Sequence, residues 1–210
     1  MHFRSLARCC AIALVGLGAT TAGAQVQNGS FESPNIGAGY QYFTGLIGSW
    51  TYFGGAGIVN TSGGPTAFNA LPAVAGDQVA FIQGNGSYVE QSLSTLAAGT
   101  YQLAFHTVGR QSSGSYDGNT SYAVYLGGNQ IFAGGTTSFD SWMQYSVTIP
   151  TTGPASLRFQ NQSLPGDHTF FLDDVTLTQR TVATPEPASM VLMTTGLFGL
   201  AGVVRRKRAA

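Results

Sequence analysis

Residues 100–108 read TYQLAFHTV, and this stretch decides the fold because its apolar and polar side chains alternate with the period of a β-strand. One face of the predicted strand carries the large apolar side chains, and the other face carries His106. The same alternation returns in residues 142–149 and 155–161. It indicates half-buried strands, since a helix would repeat its apolar positions about every 3.6 residues.

Short strands of this kind are predicted along the whole central region, with no convincing helical period among them. Turn signals separate the strands, one of them being Gly84-Asn85-Gly86. Longer glycine-rich stretches at 33–48, 54–76 and 110–119 are predicted as loops, and disorder is the alternative for them. The pattern predicts an all-β domain, a β-sandwich or jelly roll. The predicted strands are 25–32, 50–53, 78–83, 87–94, 100–108, 121–126, 130–133, 142–149, 155–161 and 169–178.

Residues 1–24 have the three parts of a secretory signal peptide. Two arginines precede a short apolar run, and Ala22-Gly23-Ala24 follows as the cleavage site. Both cysteines of the chain, Cys9 and Cys10, lie inside this segment. The mature chain is therefore expected to begin near Gln25 and to contain no disulfide.

The central region, residues 25–180, has an acidic charge balance that excludes one class of partner. It contains three arginines, no lysine and eight acidic residues, which gives a net charge of −5. Such a surface repels phosphate backbones, so we expect no nucleic-acid binding. A surface of this kind suits neutral sugars or cations, and its length of about 155 residues suits one domain with a sizeable core.

The C-terminal region has three parts in a fixed order after a short linker at 181–184. Pro185-Glu186-Pro187 comes first, then the uncharged run 188–204, then Arg205-Arg206-Lys207-Arg208. As a helix the run would be about 25 Å long, close to the ~30 Å hydrocarbon core of a bilayer. The basic residues should stay cytoplasmic, so the run predicts a transmembrane helix that holds the exported chain in the inner membrane. A buried core helix is the alternative.

This order of parts resembles the PEP-CTERM sorting signal of Gram-negative bacteria over residues 185–208. The resemblance implies that exosortase, a membrane-embedded cysteine protease, recognises Pro185, Glu186 and Pro187. It also implies that membrane anchoring is transient and that the protein reaches the cell surface or extracellular matrix. Proteins with this signal tend to accompany extracellular polysaccharide production.

The central region carries a second resemblance, in a set of short motifs. Asn28-Gly29-Ser30-Phe31-Glu32 opens the region, Leu96-Ala97-Ala98-Gly99-Thr100-Tyr101 lies in the middle, and Phe171-Leu172-Asp173-Asp174-Val175 closes it. In this order the motifs resemble the galactose-binding-like jelly rolls of bacterial carbohydrate-binding modules. The resemblance speaks for the fold more strongly than for the ligand.

Several members of that group hold a structural calcium where the first and last strands meet, and Glu32 and Asp173 match the two carboxylate positions. Calcium prefers six to eight oxygen ligands, which carboxylates and backbone carbonyls supply. Strand alternation places Phe171, Asp173, Val175 and Leu177 on one face, which would turn the Asp173 carboxylate toward an apolar layer. A hydrogen-bonded or turn-capping acid is the alternative. If calcium binds, it should raise the melting temperature, and Asp173→Ala should abolish that rise.

A glycan site is predicted from polar side chains on the outward faces of three strands. Sugar rings stack on aromatic side chains, and their hydroxyls bind amides, carboxylates and guanidinium groups. If the strands are neighbours, one face carries all five candidates: His106, Arg110, Tyr125, Arg158 and Gln160. An ordinary solvent face, with the arginines paired to acids, is the alternative. The glycine-flanked aromatic residues Tyr40, Tyr42 and Phe43 form a second candidate.

Catalytic motifs are absent from the sequence: it has no HExxH, GxSxG, P-loop or CxxC pattern. Only His106 and His168 remain after the signal peptide. We therefore expect an exported, non-catalytic protein that binds or packs with extracellular polysaccharide. The alternatives are a structural matrix protein without sugar affinity and a polysaccharide lyase or hydrolase, for which His106 and Arg110 are the pair to consider.

Overall fold

The computed structural model describes residues 26–63, 67–112 and 115–180. The predicted signal peptide, linker, sorting motif and transmembrane helix lie outside these ranges. Among the residues described, no helix is long and apolar enough to cross a membrane.

The described residues form eleven β-strands, and these pair antiparallel except for a two-residue parallel pair between β6 and β11. A 3-10 turn at Ala67–Asn69 precedes β4. The strands are β1 (Tyr40–Tyr42), β2 (Gly45–Ile47), β3 (Trp50–Asn60), β4 (Gln78–Leu93), β5 (Gly99–Gly109), β6 (Tyr116–Asp117), β7 (Thr120–Leu126), β8 (Asn129–Thr136), β9 (Met143–Thr151), β10 (Ala155–Asn161) and β11 (Asp167–Gln179). The predicted all-β class is confirmed.

The strands form two packed layers that share the β3–β4 hairpin. In the first layer β8, β7 and β10 lie side by side, and β10 pairs with the second half of β4. In the second layer β9, β5 and β11 lie side by side, and β11 pairs with the first half of β4. This is a β-sandwich in which one hairpin belongs to both layers.

Glycines let the shared hairpin change layers. Gly84 and Gly86 have φ values of 75° and 79°, a region that a side chain with a Cβ rarely enters. Opposite them, the β3–β4 register shifts between Phe53 and Gly55, and the Gly55 amide donates to the Ser87 hydroxyl at 2.9 Å. Gly84-Asn85-Gly86 therefore does not form the predicted turn. The strands predicted at 78–83 and 87–94 join into one long bent strand, β4.

The main core lies between the two layers and is rich in aromatic rings. Phe105 of β5 meets Phe159 of β10 edge to face at 5.1 Å, and Tyr122 of β7 stacks on Phe170 of β11 at 4.8 Å. All four side chains are buried. Each such burial stabilises the fold by roughly 1.5–3 kcal/mol, and these contacts fix which face of each strand points inward.

A second apolar cluster lies on the outer face of the second layer. Val79 and Phe81 of β4, Val108 of β5 and Phe171 of β11 belong to it, and all four are buried. The segment 67–77, which we call the cover segment, packs over the cluster through Ala67, Phe68, Leu71 and Ala73. This outer face is therefore partly covered by a layer of loop residues.

The opening segment differs from its prediction. Residues 26–30 form bends and turns in place of the strand predicted at 25–32. Asn28 and Phe31 have φ values of 51° and 58°, which no strand allows. This conformation buries the Phe31 ring against Trp50 at 5.1 Å. Tertiary packing thus overrides the local pattern.

The three predicted loops also contain strands that the sequence did not predict. Strands β1 and β2 lie within 33–48, the end of β3 lies within 54–76, and β6 lies within 110–119. Strands β1, β2 and β6 have only two or three residues, too few for an alternating pattern to show.

Candidate functional site

Three of the five predicted glycan residues meet on the outer face of the first layer. Arg158 of β10 lies directly between Tyr125 of β7 and Glu90 of β4, and Gln160 follows two residues later on the same face. They line a shallow depression that we call the sheet groove, whose lining residues are Glu90, Tyr125, Gly128, Ser156, Arg158 and Gln160. The predicted adjacency of β7 and β10 is correct.

The Arg158 guanidinium is held in a fixed position in the groove. Its Nε donates to a carboxylate oxygen of Glu90 at 2.7 Å, and its central carbon lies 4.2 Å from the centre of the Tyr88 ring. The Phe53 ring stacks on the Tyr88 ring, with the two ring centres 5.0 Å apart and the ring planes tilted by 15°. The Phe53 ring is 53% exposed. The ion pair of the groove therefore lies beside a stacked aromatic pair, Tyr88 and Phe53, whose outer ring is exposed.

Several groups of the groove remain available to a ligand. The terminal nitrogens of Arg158 make no hydrogen bond within the described residues. The Tyr125 hydroxyl accepts from the Gln162 amide at 2.6 Å and keeps its own proton for donation. Guanidinium donors, carboxylate acceptors and a phenol thus point to the same side of the sheet.

The sequence did not identify Glu90, Tyr88 and Phe53 as site residues. They belong to β3 and β4, and only the pairing of β4 with β10 brings them beside Arg158. No local signal predicts that pairing, because the paired residues Leu93 at the end of β4 and Ala155 at the start of β10 are 62 positions apart in the chain (155 − 93 = 62).

His106 and Arg110 lie on the opposite side of the molecule, so the predicted five-residue face is wrong. Both belong to the β5 region, and β5 pairs with β9 and β11 and not with β7 or β10. Because Phe105 faces Phe159 across the core, the outer faces of β5 and β10 point away from each other. The Nδ1 of His106 lies 3.3 Å from an Asp174 carboxylate oxygen.

Three exposed tyrosine rings and the partly buried Phe68 ring gather on the outer side of the second layer, near Arg110. We call Tyr40, Tyr42, Phe68 and Tyr116 the aromatic patch. Tyr40 and Phe68 meet edge to face at 4.8 Å, and Tyr42 lies 6.3 Å from Phe68. The guanidinium carbon of Arg110 lies 5.0 Å from the Phe68 ring centre and 5.5 Å from that of Tyr116. The third aromatic residue of the predicted loop, Phe43, is buried in the main core and does not join the patch.

Polar groups border the aromatic patch. Arg110 approaches Asp167 at 3.5 Å, and the Gln83 amide donates to the same carboxylate. The Tyr42 hydroxyl donates to the side-chain carbonyl oxygen of Gln83. Burial raises the pKa of the Tyr42 phenol above its usual range and the Asp167 carboxylate raises it further, so the hydroxyl keeps its proton.

A histidine–carboxylate pair lies next to the aromatic patch. The Nδ1 of His168 is 2.8 Å from Asp117, whose carboxylate also accepts from the amide and the side chain of Asn119. Burial of Asp117 opposes ionisation, but its hydrogen bonds with His168 and Asn119 outweigh this and lower the pKa of the carboxyl. The Nε2 of His168 makes no hydrogen bond within the described residues. This pair can hold and move a proton.

Glu32 and Asp173, the predicted calcium ligands, both accept hydrogen bonds from backbone amides of the cover segment or of the start of β4. One oxygen of Asp173 accepts from the amides of Val74 and Ala75 at 2.7 and 2.9 Å. One oxygen of Glu32 accepts from the amides at positions 77 and 78 at 2.9 and 2.8 Å. The opening and closing segments meet here as predicted, since the Val175 amide donates to the Gly29 carbonyl at 2.9 Å.

The Asp173 carboxylate is fully buried, and its burial raises the pKa of the carboxyl to about 6. A bulge between Asp173 and Thr176 breaks the predicted alternation of β11: Phe171 packs in the second cluster, whereas Val175 and Leu177 pack in the main core. The described residues contain no group of three or more His, Cys, Asp or Glu side chains that could hold a metal. The oxygen-only chemistry of Glu32 and Asp173 fits calcium only if backbone carbonyls complete its shell.

Family comparisons agree with this architecture. The family described as HpiC1 cyclase matches residues 22–178, and the chain belongs to that family. The PEP-CTERM protein-sorting motif matches residues 183–208, which confirms the resemblance of the C-terminal region and indicates export and sorting to the cell surface. No curated protein matches the sequence.

Solved structures with similar folds include carbohydrate-binding modules. TmCBM61, solved in complex with β-1,4-galactotriose, is 19% identical, has a TM-score of 0.53 and aligns over 76% of this chain and 100% of its own. The CBM22-1 xylan-binding domain of Paenibacillus barcinonensis Xyn10C is 14% identical, has a TM-score of 0.50 and aligns over 79% of this chain and 100% of its own. At these identities the likeness shows the fold, a carbohydrate-binding-module-like β-sandwich, which confirms the predicted fold class.

Proposed function

We propose that this protein is an exported, non-catalytic glycan-binding protein of the cell surface or matrix, and that the sheet groove binds neutral sugar rings of an extracellular polysaccharide. One observation carries the proposal: the Arg158–Glu90 ion pair is fixed at 2.7 Å beside Tyr125 and next to the exposed Phe53 ring. A sugar ring needs both an aromatic surface for its apolar face and polar groups for its hydroxyls.

The charges of the groove favour a neutral ligand. Glu90 balances Arg158 within the groove, so no net positive charge remains to attract a uronate. The region 25–180 as a whole is acidic, which also disfavours anionic chains. A pair of neighbouring hydroxyls can donate to Glu90 and accept from Arg158 at the same time.

Export and sorting would place the protein in the compartment that contains its ligand. Exosortase would process the chain at Pro185-Glu186-Pro187 after transient anchoring of the 188–204 helix in the inner membrane of a Gram-negative cell. Release at the surface would bring the sheet groove to the polysaccharide outside the cell. Structural packing without sugar affinity is the outcome expected if the binding experiment fails.

Calorimetry on the full chain in mild detergent tests the groove, with β-1,4-galactotriose and xylohexaose as probes and polygalacturonate as the anionic comparison. We expect neutral probes to bind and Arg158→Ala to weaken binding at the groove at least tenfold, because it removes the guanidinium donors and frees Glu90. Arg180→Ala is the matched control, since Arg180 is an exposed arginine of the second layer. Equal affinity in wild type and Arg158→Ala, or preference for polygalacturonate, would contradict the proposal.

The family match favours a second candidate function, a ring-closing enzyme. The His168–Asp117 pair could move the proton that such a reaction needs. The neighbouring Tyr116 ring is 59% exposed, so water reaches that surface and would intercept reactive intermediates. Glycan binding is therefore better supported.

Recovery of each probe unchanged in mass and NMR spectrum supports binding alone, whereas a new product that disappears in His168→Gln would support the enzyme, including the lyase or hydrolase alternative.

A structural calcium ion is the cofactor we propose for this fold. The second carboxylate oxygen of Glu32 makes no hydrogen bond within the described residues, so it can coordinate an ion. One oxygen of Asp173 accepts a single hydrogen bond, from the Asp174 amide, and can also coordinate an ion. Both carboxylates lie where the opening and closing segments meet. Calcium bound there would link the two ends of the domain and add stability to the folded state.

A further inference from the structure

The aromatic patch is a surface that the groove does not explain. Tyr40, Tyr42 and Tyr116 are 53%, 45% and 59% exposed, although they lie against Phe68 or the Arg110 guanidinium. Soluble domains rarely leave several large rings together in water without a partner. Ring contacts link Tyr40, Tyr42 and Phe68, and the Arg110 guanidinium lies against both Phe68 and Tyr116, so binding should cost the protein little conformational entropy.

The polar border of the patch indicates the class of ligand. Arg110 and Asp167 balance each other at 3.5 Å, so the patch carries no net charge from this pair. The Gln83 side-chain amide, which already bonds Asp167 and Tyr42, and the Tyr116 hydroxyl complete an uncharged border at the edge. Flat rings with a neutral hydrogen-bonding border match a neutral pyranose, which has an apolar face and a rim of hydroxyls.

The position of the patch matters because it lies on the layer opposite the groove. Arg158 points outward from β10 and Arg110 from the β5 side, while Phe105 and Phe159 separate the two strands across the core. One short glycan segment cannot touch both surfaces, so two occupied surfaces imply two separate segments.

We propose that the aromatic patch is a second site for neutral sugar rings, and that the protein bridges two polysaccharide segments through its opposite faces. The bridging half rests on the proposed function of the sheet groove. A protein of this kind cross-links a matrix without any enzymatic step, since linking two binding sites raises the effective concentration of one chain near the other.

Calorimetry and light scattering on the full chain test the proposal. With galactotriose and xylohexaose we expect two binding equivalents for wild type, one for Tyr40→Ala/Tyr116→Ala and one for Arg158→Ala. With soluble high-molecular-weight galactan and arabinoxylan, wild type should increase the scattering intensity severalfold, and either variant should lose that increase. Tyr40→Phe/Tyr116→Phe is the matched control, because it keeps the rings and should keep both equivalents. All three substituted positions are exposed or half-exposed, and circular dichroism verifies that each variant is folded.

The outcomes separate the two proposals. One equivalent in wild type that Arg158→Ala removes would overturn the second site and leave the groove intact. One equivalent that only the patch variant removes would overturn the groove and the bridging. Two equivalents in the double-alanine patch variant would overturn the patch. A wild-type dimer that becomes monomeric in the patch variant, by analytical ultracentrifugation, would assign the patch to a second copy of this chain and overturn the sugar site.

Discussion

The two outer faces of the sandwich differ in what covers them. The first layer leaves its outer face bare, with Arg158, Glu90 and the half-exposed Phe53 open to solvent. The second layer buries Phe171 and its neighbours beneath the cover segment, which Asp173 anchors through the amides of Val74 and Ala75. Strands with the same alternation thus present a polar, solvent-exposed surface on one side and a second small core on the other.

The loops that cover a β-sandwich face, or leave it open, decide whether the outward side chains of its strands meet a second core or solvent. The bare face can contact a ligand along its strands, because none of the described loops covers it. The covered face needs buried carboxylates to satisfy the amides of the loop that covers it.

The largest effect is expected from truncating one phenylalanine on each face. Phe171→Ala should lower the free energy of unfolding by about 3–5 kcal/mol, because it empties a fully buried position under the cover segment. Phe53→Ala on the bare face should cost well under that, roughly 0.5–1 kcal/mol, since only its stacking on Tyr88 is lost. Urea unfolding measures both. Similar losses in the two variants would show that the cover segment does not protect the second cluster.

A smaller effect is expected from pH, through the anchor of the cover segment. Burial raises the pKa of the Asp173 carboxyl from its ordinary 3.8 to about 6, so the folded state binds this proton more tightly than the unfolded chain does. The contribution of Asp173 to stability is therefore largest below pH 4 and is lost as the pH rises through 6.

The comparison of wild type with Asp173→Asn isolates this group. In chelator, the stability of Asp173→Asn relative to wild type should increase between pH 4 and 7 by on the order of 3 kcal/mol, because the variant has no carboxyl to ionise. Urea unfolding at several pH values measures the gap. A gap that does not change with pH would mean that Asp173 ionises as freely in the fold as in water.

The smallest effect is expected from calcium. At a hundredfold excess over its dissociation constant, a bound ion should stabilise the wild type by about 2.7 kcal/mol and raise its melting temperature by several degrees. Glu32→Gln should largely remove the rise, because it removes the charge but keeps an oxygen for the amides of Asp77 and Gln78. Asp140→Asn is the matched control, because among the described residues the Asp140 carboxylate accepts hydrogen bonds only from the amide and the hydroxyl of Thr137. No rise in wild type at millimolar calcium would exclude the ion.

The candidate site was predictable in part. Alternation alone identified Tyr125, Arg158 and Gln160 as outward-facing, and two adjacent strands do bring them together. The same rule also placed His106 outward, correctly, but it contains no information about which layer a strand joins. His106 and Arg110 were therefore assigned to a face that they do not share.

Bulges and glycines limited the rest of the sequence prediction. The sequence around Gly84 and Gly86 predicted a turn. Glycines with positive φ occur both at the end of a hairpin and in a strand that bends between layers, so the two cases look alike in sequence. The bulge after Asp173 shifted the alternation of β11 by one residue, which moved Val175 and Leu177 to the other side. No local sequence signature distinguishes a bent strand from a turn, or a bulged strand from a regular one.

The amino-acid sequence by itself determined that this is an exported all-β protein with a PEP-CTERM tail, since period-two alternation and the order of terminal motifs are properties of the chain alone. Only the tertiary structure decided that Glu90 and Phe53 join Arg158 while Arg110 joins the aromatic patch. Strand partners far apart in the chain are chosen by the packing of the whole core, and no short stretch of residues encodes that choice.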